Sequence, residues 1–140
     1  MKNAYVLLLL FFGCQSSTTS IRYVEPTNGY AQMVVVEQNR TKTLHISGQV
    51  GEGENLEVQM REVLDKLLVL LKSEGGEYTD LVKINSYIVD YKPEDLETFR
   101  GVRKEIFTDE ITPASTLVGV SSLALPQWLI EIDAVAVISE

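Results

Sequence analysis

Two short runs rich in β-branched residues open the patterned part of the chain. Residues 33–37 (MVVVE) and 43–47 (TLHIS) are separated by the polar segment 38–42 (QNRTK). β-Branched residues suit a pleated, half-buried strand, and polar residues suit a turn. The pattern therefore predicts a β-hairpin.

A helical period follows the hairpin. Apolar residues recur there at spacings of three and four, with no glycine or proline between them: Leu56, Met60, Val63, Leu64, Leu67, Leu68 and Leu71. This spacing places them on one face of a long amphipathic helix. Gly75 and Gly76 predict its end, because glycine readily adopts the left-handed backbone conformation that follows a helix C-terminus.

The rest of the chain predicts one more helix and three more strands. Residues 81–89 (LVKINSYIV) predict a strand, and Pro93 with the acidic residues after it predicts a helix start. The inner face of that helix carries Leu96, Phe99, Val102 and Ile106. Residues 116–120 and 129–138 predict the two final strands. The order β-β-α-β-α-β-β indicates the α+β class, a mixed sheet with two helices covering one face.

The second face of this sheet has no predicted helix to cover it. The final strands are rich in apolar residues, which suit contact with another protein surface better than contact with water. We therefore expect a homo-oligomer in which these faces meet.

Composition narrows the classes of function. The 140 residues are 45% hydrophobic, which is enough for the core of a single domain, and their net charge is −8. A surface of that sign repels a polyanion, so we expect no nucleic-acid partner.

The chain has no His/Cys cluster, and Glu52, Glu54 and Glu57 are typical of a solvated loop leading into a helix. We expect neither a metal nor a cofactor.

Residues 1–13 differ from the rest of the chain. Lys2 precedes an apolar run that is far shorter than the roughly 20 residues of a membrane-spanning helix, which is typical of an export signal. Gly13-Cys14 resembles the lipobox of bacterial lipoproteins, which implies lipidation of Cys14 and a place in the cell envelope. Segment 14–29 is then a tether and lead-in, and residues 30–140 form the domain. The alternative is a buried N-terminal strand or a misassigned start codon, with a cytoplasmic protein.

Short segments along the chain match one known family in order and spacing. They are Ser47-Gly48-Gln49-Val50-Gly51, Gln59, 80–83 (DLVK), Tyr87, Asp90, Phe107, Pro113-Ala114 and 130–136 (IEIDAVA). Through them, the chain from about residue 30 to residue 137 resembles the Rid family of reactive intermediate deaminases, also called the YjgF family. The resemblance implies a chorismate-mutase-like α+β fold, a homotrimer, and small-molecule clefts between subunits.

Ser115 departs from the family's deaminating members. The resemblance implies that these members place an arginine directly after the Pro113-Ala114 pair. That arginine grips the carboxylate of an imine or enamine while water attacks the C=N carbon. A guanidinium binds a carboxylate through two parallel charged hydrogen bonds, whereas serine offers one neutral donor. Since a charged hydrogen bond contributes roughly 1.5 to 3 kcal/mol, we expect carboxylate binding to weaken by about tenfold or more.

Two arginines are candidates to replace the missing charge. Counted back from Phe107 without gaps, Arg100 falls where the resemblance implies an asparagine that lines the cleft, and Arg103 follows nearly one helical turn later. The alternative is that both lie on the solvated face of the second helix, paired with Glu97 or Glu105.

Other candidate site residues come from the resemblance. Glu131 matches the acidic residue that orders the attacking water, and an enclosed carboxylate with a raised pKa is suited to act as a general base. Tyr30 matches a pocket tyrosine, and Ser47 and Gly48 match a strand end whose backbone groups bind a ligand. The alternatives are a solvent-facing acid at Glu131 and a structural tight turn at residues 47 and 48.

Two functions follow from these residues. The first is a Rid-family protein that binds a small carboxylate-bearing metabolite between subunits and is not an efficient imine deaminase. The second is a 2-imino acid or enamine deaminase with a relocated carboxylate anchor. Some relatives have been described as ribonucleases, a class that the acidic charge disfavours.

Overall fold

The computed structural model describes residues 18–108 and 112–139. Its helices and strands are β1 Thr19–Val24, β2 Met33–Gln38, β3 Thr41–Val50, α1 Leu56–Ser73, β4 Leu81–Val89, α2 Asp95–Lys104, β5 Ala114–Val120 and β6 Ile130–Ser139. A one-turn 3₁₀ helix, Tyr78–Asp80, precedes β4. The predicted export signal, residues 1–13, and Cys14 lie outside the described residues. No helix within the described ranges is long and apolar enough to cross a membrane.

The strands form one mixed sheet in the order β1-β2-β3-β6-β4-β5. Neighbouring strands are antiparallel except β4 and β5, which are parallel. Because parallel neighbours need a crossover connection, the chain passes through α2 between them. The last strand, β6, lies in the middle of the sheet, between β3 and β4.

Both helices pack against one face of this sheet. Alternate residues of β6 are buried on that face, and Val63, Leu67 and Leu71 of α1 and Phe99 and Val102 of α2 belong to the same core. Glu131 lies between buried Ile130 and Ile132, so its side chain points to the opposite face. The α+β class with two helices on a mixed sheet is confirmed.

The face opposite the helices carries exposed apolar side chains. On β1, Ile21 and Tyr23 are 58% and 63% exposed, and Val118 of β5 and Val137 of β6 are also exposed. The register pairs Ile21 with Val36 and Tyr23 with Val34, which continue this apolar surface across β2.

The end of α1 lies where the two glycines predict it. Gly75 has a positive φ of 85°, and the backbone N–H of Gly76 donates to the carbonyl of Leu71. This is the hydrogen bond of a glycine-terminated helix end. The helix begins at an Asn55 cap, whose side-chain oxygen accepts from the N–H of Val58 at 3.0 Å.

Strand β1 was not predicted. It lies within segment 14–29, which the sequence pattern assigns to a tether and lead-in, and its residues are exposed except for half-buried Val24. β1 pairs with β2 along its whole length, and Arg22 donates to the Glu74 carboxylate at 2.7 Å. Strand pairing and the contact with Glu74 therefore hold β1 in place, and its own residues show no core-facing pattern.

Two local expectations were wrong. Ser47 and Gly48 lie inside β3 and not at its end, where the pairing with β6 shifts between Ile46 and Gln49. Such a shift marks a β-bulge, which redirects side chains without ending the strand. The second helix ends at Lys104, so Ile106 lies beyond it, although it still packs against the core.

Candidate functional site

Four of the predicted site residues line one cavity of about 690 Å³, named here the Glu131 pocket. They are Tyr30, Ser47, Gly48 and Glu131. The remaining lining residues are Gln32, Gln49, Val50, Lys66, Ala124 and Trp128. Strand β3, strand β6 and the two loops beside them therefore meet at this cavity.

A tight turn places Tyr30 at the mouth of the Glu131 pocket. Asn28 and Gly29 both have positive φ, 49° and 88°, and the backbones of Thr27 and Tyr30 hydrogen-bond to each other in both directions. Asn-Gly is the favoured pair for such a turn. The turn leaves the Tyr30 side chain 52% exposed, so it is available to contact a ligand or another subunit.

The hydroxyl of Ser47 is engaged within the protein. It donates to the carbonyl of Ala31 at 2.6 Å, and the side chain of Gln49 donates to the Ser47 carbonyl at 2.9 Å. Gln49 also donates to the Gln32 side chain at 3.2 Å. These bonds hold the segment next to Tyr30 against the bulge of β3. Ser47 therefore has a clear structural role here, with only oxygen lone pairs left for a ligand.

Gly48 makes room for the carboxylate of Glu131. A Cβ atom at position 48 would overlap the Glu131 side chain at its carboxylate end. Partial burial raises the pKa of the Glu131 carboxyl, and the negative charge of Asp133 raises it further. Asp133 is itself held by the Asn85 amide, which donates to it at 2.7 Å. The environment is that of a carboxyl group suited to proton transfer.

Gln59 fastens the two loops that flank the Glu131 pocket. Its side chain is 1% exposed, and its amide nitrogen donates to the carbonyls of Gly53 and Gln127, both at 2.9 Å. Its amide oxygen accepts from the N–H of Leu129 at 2.8 Å. The buried Gln59 side chain therefore fixes the backbone segment that leads into β6, and with it the position of Trp128. The indole N–H of Trp128 donates to Glu52 at 3.1 Å.

The Gly48→Ala variant is expected to lower the pKa of Glu131 towards its ordinary value. The added methyl group would overlap the carboxylate, which must then turn outwards into water and lose the effect of burial. A carbon-13 NMR titration of the Glu131 carboxyl measures this shift. Gly101→Ala is the matched control, because a Cβ there meets no atom within 4 Å. An unchanged Glu131 titration in Gly48→Ala would contradict the expected displacement.

The other two predicted residues, Arg100 and Ser115, line a second cavity of about 360 Å³. We name it the α2–β5 pocket. Its polar lining residues are Arg100, Arg103, Lys104, Thr112 and Ser115. Its apolar lining residues are Leu96, Phe99, Phe107 and Leu117. Arg100, which the sequence offers as a replacement anchor, therefore shares a pocket with the serine that lacks the charge.

Arg103 is stacked between two phenyl rings. Its guanidinium carbon lies 5.4 Å from the ring centre of Phe99 and 4.9 Å from that of Phe107. This is cation–π geometry, and burial lowers the pKa of the guanidinium from its ordinary value. Among the described residues, neither Arg100 nor Arg103 forms an ion pair with Glu97 or Glu105. The pairing offered as the alternative at the sequence level is absent from this part of the chain.

The two pockets have no lining residue in common. Ser115 pairs with buried Ile84 and faces the helices, whereas Glu131 points away from them. On one chain, the structure therefore divides the predicted site residues into a carboxylate group and a cationic group.

Several pocket residues were missed at the sequence level. Lys104 follows Arg100 by four residues and Arg103 by one, so its helical spacing from Arg100 was a usable signal. Thr112 and Lys66 carry no comparable signal, because only the packing of distant segments brings them to the cavities.

The acidic residues near α1 are not gathered around a cation site. Within residues 18–108 and 112–139, no group of three or more His, Cys, Asp or Glu side chains is placed to hold a metal ion. Glu57 instead pairs with Arg61 at 2.9 Å, and Glu52 accepts from Trp128.

Comparison with known proteins assigns most of the chain to one family. The family described as "Endoribonuclease L-PSP" matches residues 20–138. A YjgF family member from Neisseria meningitidis is 29% identical with a TM-score of 0.74, over 86% of this chain and 97% of that one. A Rid family protein of unknown function from Yersinia pestis is 30% identical with a TM-score of 0.66, over 84% and 98%. A YjgF/YER057c/UK114 family member from Mycobacterium tuberculosis is 25% identical with a TM-score of 0.69, over 88% and 100%.

Proposed function

Because this chain belongs to the endoribonuclease L-PSP family, which includes the YjgF and Rid proteins, we propose that it binds a small carboxylate-bearing metabolite between the subunits of a homotrimer. The main support for this proposal is that the predicted site residues of one chain are divided between two pockets. One chain holds the carboxylate of Glu131 and the cations of α2 in two separate pockets. A neighbouring copy is therefore needed to bring the two groups to one ligand.

The surface opposite the helices supports assembly. Exposed Ile21, Tyr23 and Val118 lie on that face, where apolar area is stabilised by contact with another copy. Sedimentation equilibrium of the full chain is expected to give a trimer. A stable monomer at micromolar concentration would contradict the proposed assembly.

Ser115 is the reason that we do not propose efficient imine deamination. A serine hydroxyl replaces the two-point grip of a guanidinium, so a bound imino acid is held less firmly beside water. Arg100 and Arg103 supply charge in the same pocket, which supports the binding of a carboxylate. The expected result is carboxylate binding with little or no ammonia release.

A second candidate function is favoured by one observation. Arg100 and Ser115 line the same cavity, so Arg100 is a candidate anchor for a deaminase whose arginine has moved from β5 to α2. Glu131 would then order the attacking water, as its raised pKa suits.

Two measurements on the same preparation separate these functions. Calorimetric titration with 2-oxobutanoate is expected to show saturable binding, and ammonia release from freshly generated 2-iminobutanoate is expected to match the spontaneous background. Robust release that disappears in Arg100→Ala would establish the second candidate instead. Absence of any carboxylate binding by the trimer would overturn both.

Because the matching family is described as an endoribonuclease, RNA cleavage is a third activity to measure. The net charge of −8 weakens association with a polyanion, so we expect no cleavage of a single-stranded RNA. Cleavage that is lost in Glu131→Gln would contradict this expectation and place a nuclease activity in the Glu131 pocket.

We also propose that the mature protein is lipidated at Cys14 in a bacterial cell envelope. The apolar run and Gly13-Cys14 support this placement, and attachment by more than one acyl chain is stable whereas one chain binds only marginally. Cys14→Ser is expected to release the protein from membranes or to block its maturation. A soluble cytoplasmic species that retains Met1 would overturn the proposal.

A further inference from the structure

The α2–β5 pocket is positively charged in a chain that is acidic overall. Arg100, Arg103 and Lys104 line it, and no Asp or Glu appears among its described lining residues, although the chain carries a net charge of −8. Two basic residues on α1 are paired differently, since Arg61 contacts Glu57 and Glu105, and Lys66 contacts Glu62. Within residues 18–108 and 112–139, no ion pair of this kind involves Arg100, Arg103 or Lys104.

The acidic residue next to Lys104 in the sequence is engaged elsewhere. Glu105 directly follows Lys104, yet its carboxylate pairs with Arg61 of α1 at 2.7 Å. This pairing holds the pKa of Glu105 below its ordinary value. Glu105 is therefore unavailable to balance the charges of Arg100, Arg103 and Lys104.

The dipole of α2 does not explain the cluster by itself. Arg103 and Lys104 lie in its last turn, where cations are favoured by a partial charge of roughly −0.5. That partial charge is much smaller than the three positive charges of Arg100, Arg103 and Lys104, so it does not balance them. It also does not account for Ser115, which comes from β5 and lines the same cavity.

The apolar side chains that line the α2–β5 pocket restrict the kind of ligand that fits it. Phe99, Phe107, Leu96 and Leu117 line the cavity, and the two phenyl rings also support the Arg103 guanidinium. A free inorganic anion would leave this apolar surface uncovered. An organic molecule with a short apolar body would bury it while its charged ends reach the cations.

We propose that the α2–β5 pocket selects an organic dianion over a monoanion, its ligand having two carboxylates or one phosphate on a short apolar body. This inference rests on the proposed function and narrows its ligand class. Three cations in one pocket match two negative charges better than one. The second charge is expected to strengthen binding about tenfold or more, as an added charged hydrogen bond does.

The test compares three ligands that share one ring. Benzoate, isophthalate and phenyl phosphate are titrated into the full-length trimer by calorimetry at low salt. Isophthalate or phenyl phosphate is expected to bind at least about tenfold more tightly than benzoate. Which of the two dianions binds better identifies the carboxylate or the phosphate as the natural group.

Variants connect that preference to the pocket. Lys104→Gln and Arg103→Met each remove one charge, and both are expected to reduce the dianion preference to about threefold or less. Lys92→Gln is the matched control, because Lys92 is exposed and does not line the pocket. If Arg103→Met fails to fold, Lys104→Gln decides the test, since Lys104 is exposed.

Asp109 and Glu110 follow closely in the sequence but lie outside the described residues, so their effect is measured directly. The double change Asp109→Asn with Glu110→Gln is expected to leave the dianion preference in place. If it instead increased the affinity for benzoate about tenfold, the cations would be paired within the chain and the inference would be wrong. Equal binding of benzoate and both dianions by the unaltered protein would also overturn it, while the proposed carboxylate binding would stand.

Discussion

Replacing Gln59 with leucine is expected to destabilise the protein by about 3 kcal/mol, because three backbone groups lose their hydrogen-bond partner at once. Those groups are the carbonyls of Gly53 and Gln127 and the N–H of Leu129. Leucine matches the volume of glutamine but offers no hydrogen bond, and the side chain is 1% exposed. The leucine variant therefore leaves the loops on either side of the Glu131 pocket without the hydrogen bonds that join them to α1.

Urea denaturation at one fixed protein concentration measures this effect, since the stability of the proposed trimer would depend on concentration. Gln127→Leu is the matched control, because the Gln127 side chain is exposed and only its carbonyl bonds to Gln59. The control is expected to stay within about 0.5 kcal/mol of the unaltered protein. An equally small effect of Gln59→Leu would show that these three hydrogen bonds contribute little net stability.

The double change Ser115→Arg with Arg100→Asn is expected to raise imine hydrolysis by about tenfold or more over the unaltered protein. Arginine at 115 restores a two-point grip on the substrate carboxylate. Because Arg100 lines the same cavity, its charge repels the new guanidinium until it is removed. The double variant should therefore exceed the sum of the single ones, as expected for neighbouring residues in one pocket.

The rate of ammonia release from 2-iminobutanoate above the spontaneous background measures this gain. Ser115→Lys with Arg100→Asn is the control for charge alone, since lysine is a point charge that cannot make the planar pair of bonds. The control is expected to gain less than the arginine variant. Equal gains from lysine and arginine would show that positive charge, and not two-point geometry, limits the reaction.

The elements with strong local periodicity were predicted from the sequence. The apolar spacing from Leu56 to Leu71 lies within α1, and residues 81–89 form β4 as expected. In both elements, the residues that face the core recur with the period of a helix or of a strand. The local sequence pattern is therefore enough to predict each element. Strand β1 lacks such a pattern because its residues are largely exposed, and it is held by pairing with β2 and by Glu74, which lies 52 residues after Arg22.

The sequence by itself determined the family, the α+β class and the residues to examine, because motifs and periodicity are local properties of the chain. Only the tertiary structure decided how those residues are grouped. It placed Arg100 with Ser115 and Glu131 with Tyr30, and it engaged the Ser47 hydroxyl with Ala31. It also turned Glu105 towards Arg61 and left three cations together at the α2–β5 pocket. Which charges neutralise each other depends on distances between segments far apart in the chain, and these distances exist only after folding.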